Sequence, residues 1–347
     1  MNPTHRIEWL DAIKGIGIIL VMLSHVSSFS PIGTYLFSAF IPLFYISSGI
    51  VSKKESLNST IKSKSKRLLF PYFFYGILAN IFFSIIKNGT IYQGGTVNQW
   101  LGLLYSRFCL YPYGTENNLF FLPFESTSPL WFLTSLFTGF ILYYFLNKKY
   151  KYKYYNYIIL VIYIITTLYL ANLKILLPWS MDLAFMTAIF LYIGNILKNY
   201  FLYKKTKVLL NISSATVFLL IYIYIIHTNG FINLSVKEYG NEQRSGVFMT
   251  FISGTFFFLT IMLLFKSIPS HYYKYLSIVG KYSLRLMCIQ MPILFITKRL
   301  IKAAHFNGML ETTIICVIFF TTTFTLSYIL QLILNKYSNK ISILKYL

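Results

Sequence analysis

An all-α polytopic membrane protein, with about ten spanning helices and both termini in the cytoplasm, is the fold this sequence predicts, and three observations predict it. Hydrophobic residues make up 56% of the 347 and charged residues only 12%, against about 25% charged in an ordinary soluble domain. Apolar segments of roughly 20 residues, enough to cross a bilayer, recur along the whole chain. Lys and Arg collect in the polar segments between them, mostly on alternate sides. A soluble core this apolar would leave greasy patches on its own surface, and 33 Phe with 30 Tyr exceed what one core needs.

The spans fall at about 10–28, 33–51, 68–86, 129–147, 157–173, 180–197, 208–227, 247–265, 276–297 and 312–334. Asp11 and Lys14 interrupt the first, which lacks a small-residue cleavage site, so it reads as a retained helix rather than a signal peptide. The fifth is short, and Lys281, Arg285 and Pro292 interrupt the ninth. With the N-terminus inside, Lys53, Lys54, Lys62, Lys64, Lys66 and Arg67 are cytoplasmic. So are the Lys clusters at 148–153 and 198–207, and Lys336, Lys340 and Lys345. Lys298, Arg299 and Lys302 run against the rule. The net charge of +22 is thus a topology signal, and a nucleic-acid partner is set aside. Cys109, Cys288 and Cys316 are too few and too far apart for a disulfide framework or a zinc site, and read as small apolar fillers with no metal role.

Two outer segments are long, about 87–128 and 228–246. The first combines Tyr, Gly, Asn and Thr with Trp100, Glu116 and Glu125, a composition that suits either sugar binding or a plain surface loop. No internal repeat, Walker motif, GxSxG or HExxH occurs, and residues 1–347 read as one membrane domain.

Ionisable residues inside a span are costly and are read first as functional. The first span, EWLDAIKGIGIILVMLSHV, has Asp11, Lys14 and His25. The eleven steps from Lys14 to His25 turn about 1100°, roughly 20° past three full turns, with a rise of about 16 Å, so the two share one face. Asp11, three residues before Lys14, lies on the same side. Gly15 and Gly17 beside this stripe would let a helix or ligand approach the backbone. A neutral imidazole can take a proton from a hydroxyl and later release it. The bland alternative is a histidine bonded across a helix interface, with Asp11 and Lys14 as a structural ion pair.

These residues resemble the membrane acyltransferases of acyltransferase family 3, which O-acylate sugars and other acceptors from acyl-CoA. WLDAIKGIGIILVMLSHV is similar to the family's opening motif, with Lys14 where members usually carry Arg; Lys keeps the charge and loses the planar fork. IPLFYISSGIV resembles the second-span motif ending at Ser48 and Gly49. KSKRLLFPYF resembles the basic approach to the third span, with Lys64 and Arg67. LWFLTSLF, with Trp131 and Phe132, resembles the start of the fourth, and MDLAFMTAIFLYIGNIL, with Asp182 and Gly194, a later one. GKYSLRLMCIQMPI resembles the ninth, with Gln290 where many members have His.

The resemblance implies a multi-pass protein of the cell inner membrane that moves an acyl group, acetyl above all, from acetyl-CoA to a hydroxyl of a surface polysaccharide or its lipid-linked precursor. Lys64, Lys66 and Arg67 would hold the donor's phosphates; their other reading is topology alone. The thioester would thread along the Lys14 to His25 stripe, and His25 would deprotonate the acceptor hydroxyl. Asp11 would orient or balance Lys14, and Lys14 would hold a CoA phosphate or steady the oxyanion. Glu125, Trp131 and Asp182 are acceptor-side candidates. Their rival roles are a surface loop residue, an interfacial aromatic belt and a helix N-terminal charge. Ser48 and Gly49 read as packing residues. The partners implied are membrane lipids, acyl-CoA and a glycan, and the oligomeric state is left open. The rival readings are a polysaccharide polymerase or flippase, and a transporter using the same Asp and His as a proton relay.

Overall fold

A computed structural model describes residues 6–26, 32–87, 95–106, 130–148, 150–152, 154–173, 176–201, 207–303, 308–338 and 342–347. Among them the helices, in chain order, are α1 (Glu8–Val26), α2 (Ile32–Phe37), α3 (Phe40–Ile50), α4 (Leu57–Lys64), α5 (Phe70–Lys87), α6 (Gly95–Tyr105) and α7 (Trp131–Asn147). They continue as α8 (Tyr154–Asn172), α9 (Met181–Phe201), α10 (Val208–Asn229), α11 (Gln243–Ser267), α12 (Lys274–Lys281), α13 (Ser283–Ala303) and α14 (Gly308–Ser338). A π turn, Ser65–Leu69, joins α4 to α5. The described strands are a two-residue antiparallel ladder, Ile232–Asn233 with Glu238–Tyr239.

Eight helical stretches among the described residues are long and apolar enough to span a bilayer, with α2–α3 and α4–α5 each counting as one, and α7 is a shorter apolar helix. All ten expected segments are helical, with two differences. The second is broken at Ser38 and Ala39, where the Ser38 hydroxyl donates to the Thr34 carbonyl at 2.6 Å and accepts from the Ile232 amide at 3.1 Å. The ninth starts later than 276: residues 274–281 form the separate helix α12, which lies along α1, and α13 begins only after Tyr282. Burial ranks the spans. The apolar windows of α1, α2–α3, α9 and α11 are each 61% buried, whereas that of α8 is 17%; the stripe of ionisable residues therefore sits on an interior helix.

The chain divides into two compact units. The first comprises residues 1–53 and 189–284. There α1 packs against α3, α11 and α12, and glycines set how closely. A Cβ on Gly280 would lie 2.7 Å from the Asp11 carbonyl carbon and from the Gly15 nitrogen, where ordinary contact begins at 3.4 Å. A Cβ on Gly15 would meet the Leu276 carbonyl, and one on Gly17 would stand 2.9 Å from the Phe44 ring. Gly49 on α3 and Gly194 on α9 make a second backbone contact of this kind, Gly49 against Leu191 and Gly194 against the Ile46 carbonyl. Small residues let helices meet without side chains between them. α10 and α11 pair along their length, with Tyr222 against Phe257 at 4.7 Å.

The second unit comprises residues 54–188 and 285–347. Ser56 caps α4 by accepting from the Ser59 amide. α5 and α13 meet through side chains: the Tyr75 hydroxyl and the Arg285 Nε both donate to the main-chain oxygen of Leu347, and Phe83 meets Phe295 edge-on at 5.6 Å. The segment 342–347 folds back against the π turn and α14, with Leu347 buried.

Candidate active site

Three places carry the ionisable and polar residues singled out from sequence. The first is α1, in the first unit. Asp11 is buried at 5% exposure, and its carboxylate accepts from the Arg6 Nε through Oδ2. Lys14 Nζ stands 3.7 Å from the other oxygen, Oδ1. That distance is an ion pair and is too long for a hydrogen bond. Arg6 therefore takes the close position, and Lys14 is balanced by charge while its ammonium protons are not spent on Asp11. Arg6 and Lys14 share one carboxylate, and with Glu8 in the same first turn this end of α1 carries no net charge. His25 lies in the last turn of the same helix, half-buried. The helix thus lines up paired charges and an imidazole about 16 Å apart. The backbone contacts of Gly15 and Gly280 fix its position against α12. Arg6 was not singled out from sequence, since it precedes the helix and no periodicity points to it.

The second place is the π turn of the second unit. Lys64 lies over the Phe140 ring, 3.8 Å from its centroid, a cation–π contact that turns its charge inward. Lys66 and Arg67 are exposed. The cluster is therefore two outward cations and one held against the protein. π turns inside helices occur often at functional sites, because the extra residue re-aims the side chains around it.

The third is a corner of the second unit that brings Trp131 and Asp182 together. Trp131 opens α7 and is buried at 7% exposure, so its indole is inside the protein rather than in an interfacial belt. Its carbonyl accepts from Thr134 at 2.8 Å and from Ser180 at 3.3 Å. Two residues beyond Ser180, Asp182 lies in the first turn of α9, 2% exposed, where a carboxylate meets the positive end of the helix dipole. Between them Trp179 (φ 55°) and Ser180 (φ 53°) both take left-handed backbone, which side chains adopt at a cost and which clusters at functional sites. The Trp179 indole donates to the Leu104 carbonyl at 2.9 Å and meets the Phe73 and Phe137 rings edge-on. Only Pro178, beside it in sequence, hints at this turn. Glu125 lies outside the described residues, as does Cys109. Cys288 is buried, and burial suits the filler role given to it.

Two polar side chains, Ser47 on α3 and Gln290 on α13, are fully buried with no hydrogen-bond partner for the Ser47 hydroxyl or for either atom of the Gln290 amide among the described residues.

A family model described as an acyltransferase domain matches residues 7–332. No curated protein and no solved structure matches the chain.

Proposed function

The chain belongs to this acyltransferase family, and from that premise we propose that it is a multi-pass membrane enzyme moving an acetyl group from acetyl-CoA to a hydroxyl of a surface polysaccharide or its lipid-linked precursor. The observation that carries the mechanism is the arrangement of α1: an imidazole and a paired Asp–Lys on one face of an interior helix.

His25 accepts the proton of the acceptor hydroxyl as its oxygen attacks the thioester carbonyl. The tetrahedral oxyanion collapses, the carbon–sulfur bond breaks, and His25 returns the proton to the leaving thiolate. An ester and free CoA result, and no nucleophile of the protein is acylated. Asp11 holds Arg6 and Lys14 together, which keeps Lys14 a fixed cation for a phosphate or the oxyanion. Lys66 and Arg67, the exposed charges of the π turn, take phosphates of the donor, with Lys64 behind them. Trp131 and Asp182 serve the acceptor side through the Trp179–Ser180 turn, and Glu125 is the third proposed residue for the sugar.

The test is transfer of labelled acetyl from acetyl-CoA in membrane vesicles carrying the wild type or His25→Ala. Loss of a general base is expected to lower transfer by about 10²- to 10⁴-fold. Undiminished labelling of the glycan by the variant discards the mechanism, and a wild type that labels nothing while polymerising glycan or exchanging solute discards the donor and acceptor proposed here.

A further inference from the structure

The segment joining α7 to α8 reads LNKKYKYKYYNY, four Lys interleaved with five Tyr, and no Asp or Glu occurs between Glu125 and Asp182. The preference of cytoplasmic loops for cations accounts for the lysines, since any mobile cation would serve it. It accounts neither for the tyrosines nor for the order of the turn. The Asn156 amide closes the turn by donating to the Leu146 carbonyl at 2.6 Å and to the Lys148 carbonyl at 3.1 Å. Tyr152 stacks on Tyr154 with ring centroids 5.5 Å apart, and Tyr155 meets Tyr150, Tyr152 and Tyr154. Lys148 stands 5.6 Å from the centre of the Tyr150 ring and Lys151 5.3 Å from that of Tyr152, cation–π contacts that set both ammonium groups on an aromatic platform. Both lysines are exposed, as are Tyr152, Tyr154 and Tyr155. Neither lysine forms an ion pair with a described carboxylate.

The surface continues along α8. One face of that helix is held to the protein, where Tyr163 donates to the Leu142 carbonyl at 3.0 Å and Thr167 and Ala171 are buried. The opposite face exposes Ile158, Val161, Ile162 and Ile165, which recur at helical spacing. From Tyr154 to Ile165 is eleven residues, about 16 Å at helical rise, the depth of one leaflet in a hydrocarbon core of about 30 Å. Cations, then aromatic rings, then an apolar strip one leaflet deep match a phospholipid with an anionic headgroup in the order of its parts: phosphate, ester region, acyl chain.

We infer that the α7–α8 turn and the exposed strip of α8 form a docking surface for an anionic phospholipid of the bilayer. Lys148 and Lys151 bind its headgroup, and Tyr152, Tyr154 and Tyr155 seat its ester region. None of these residues has a part in the acyl transfer described above, so this is a lipid site apart from donor and acceptor.

The experiment places the full chain in phosphatidylcholine nanodiscs that carry photoactivatable phosphatidylglycerol or photoactivatable phosphatidylcholine at equal mole fraction, and maps crosslinks to residues 148–165. Each cation at a charged headgroup is worth about fivefold in affinity. The wild type is therefore expected to crosslink phosphatidylglycerol about ten- to thirtyfold over phosphatidylcholine at low salt, with the preference falling as salt rises. Lys148→Gln with Lys151→Gln should lose that preference, and Lys148→Arg with Lys151→Arg should keep it, which separates loss of charge from loss of fold. Equal crosslinking of the two lipids by the wild type overturns the inference, as does a preference that survives the Gln pair. If the Gln pair does not fold, a wild-type preference insensitive to salt overturns it instead. Inorganic phosphate that removes the preference where chloride of equal ionic strength does not would make the turn a site for free anions, and that result overturns the lipid assignment too.

Discussion

Gly280→Ala tests whether α1, the helix proposed to carry the general base, is positioned by bare backbone contact. The added methyl would stand 2.7 Å from the Asp11 carbonyl carbon and from the Gly15 nitrogen, and nearer still to the Asp11 oxygen. Reaching the ordinary 3.4 Å needs more than the about 0.7 Å that the carbon and nitrogen contacts alone call for, and no side chain can rotate away to give it, because the obstacles are backbone atoms of α1. Overpacking of this kind costs about 1–3 kcal/mol, and displacement of a catalytic group by about 1 Å can cost 10²-fold in rate. Gly76→Ala is the matched control: its methyl would meet the tip of the Leu103 side chain, which can turn. The assay is acetyl transfer in vesicles beside thermal unfolding in nanodiscs. The expected result is about a 10²-fold loss of transfer for Gly280→Ala with a modest drop in Tm, and near-normal transfer for Gly76→Ala. Transfer by Gly280→Ala within about twofold of wild type, at normal expression, would refute the claim that the α1–α12 contact sets the geometry.

Asp11→Asn leaves Arg6 and Lys14 without their shared carboxylate; the Arg6 side chain is 54% exposed, so the loss falls short of the about 3–5 kcal/mol of a fully buried pair, and a lowered Tm with reduced transfer is expected, while Arg6→Ala, which leaves the Lys14 pair, should be milder in both readouts. Lys66→Ala with Arg67→Ala should raise the KM for acetyl-CoA about tenfold or more and flatten its dependence on salt, since the two are the outward charges of the π turn; initial rates at several salt concentrations check this. Replacing Cys109, Cys288 and Cys316 by Ala should leave transfer within about threefold and insensitive to thiol reagents, because direct attack needs no protein nucleophile.

The parts of this protein that follow from helical period were legible in its sequence. The spans are set by long apolar runs, and the alignment of Asp11, Lys14 and His25 follows from spacing alone. What depends on another segment arriving in space was not. Arg6 belongs to Asp11 only because the chain before α1 turns back onto it. The late start of α13 reflects the commitment of α12 to the α1 backbone through Gly280, and a lone glycine in a sequence names no partner. Left-handed backbone at Trp179 and Ser180 leaves no periodic trace. Gln290 stood out as a departure from the family pattern, but the lack of any partner for its amide is a property of the packed structure.

The winding of residues 65–69 makes the phase between two faces of one continuous helix adjustable by a single residue. Removing one residue there would return the stretch to ordinary α-helical pitch and rotate everything on one side of it by about 100° relative to the other. Lys66 and Arg67, now exposed, would then take a different phase from the buried Tyr72 and Tyr75, with hardly any change in composition or hydropathy. Length at this turn, more than the identity of any side chain in it, is therefore what a homologue would have to keep.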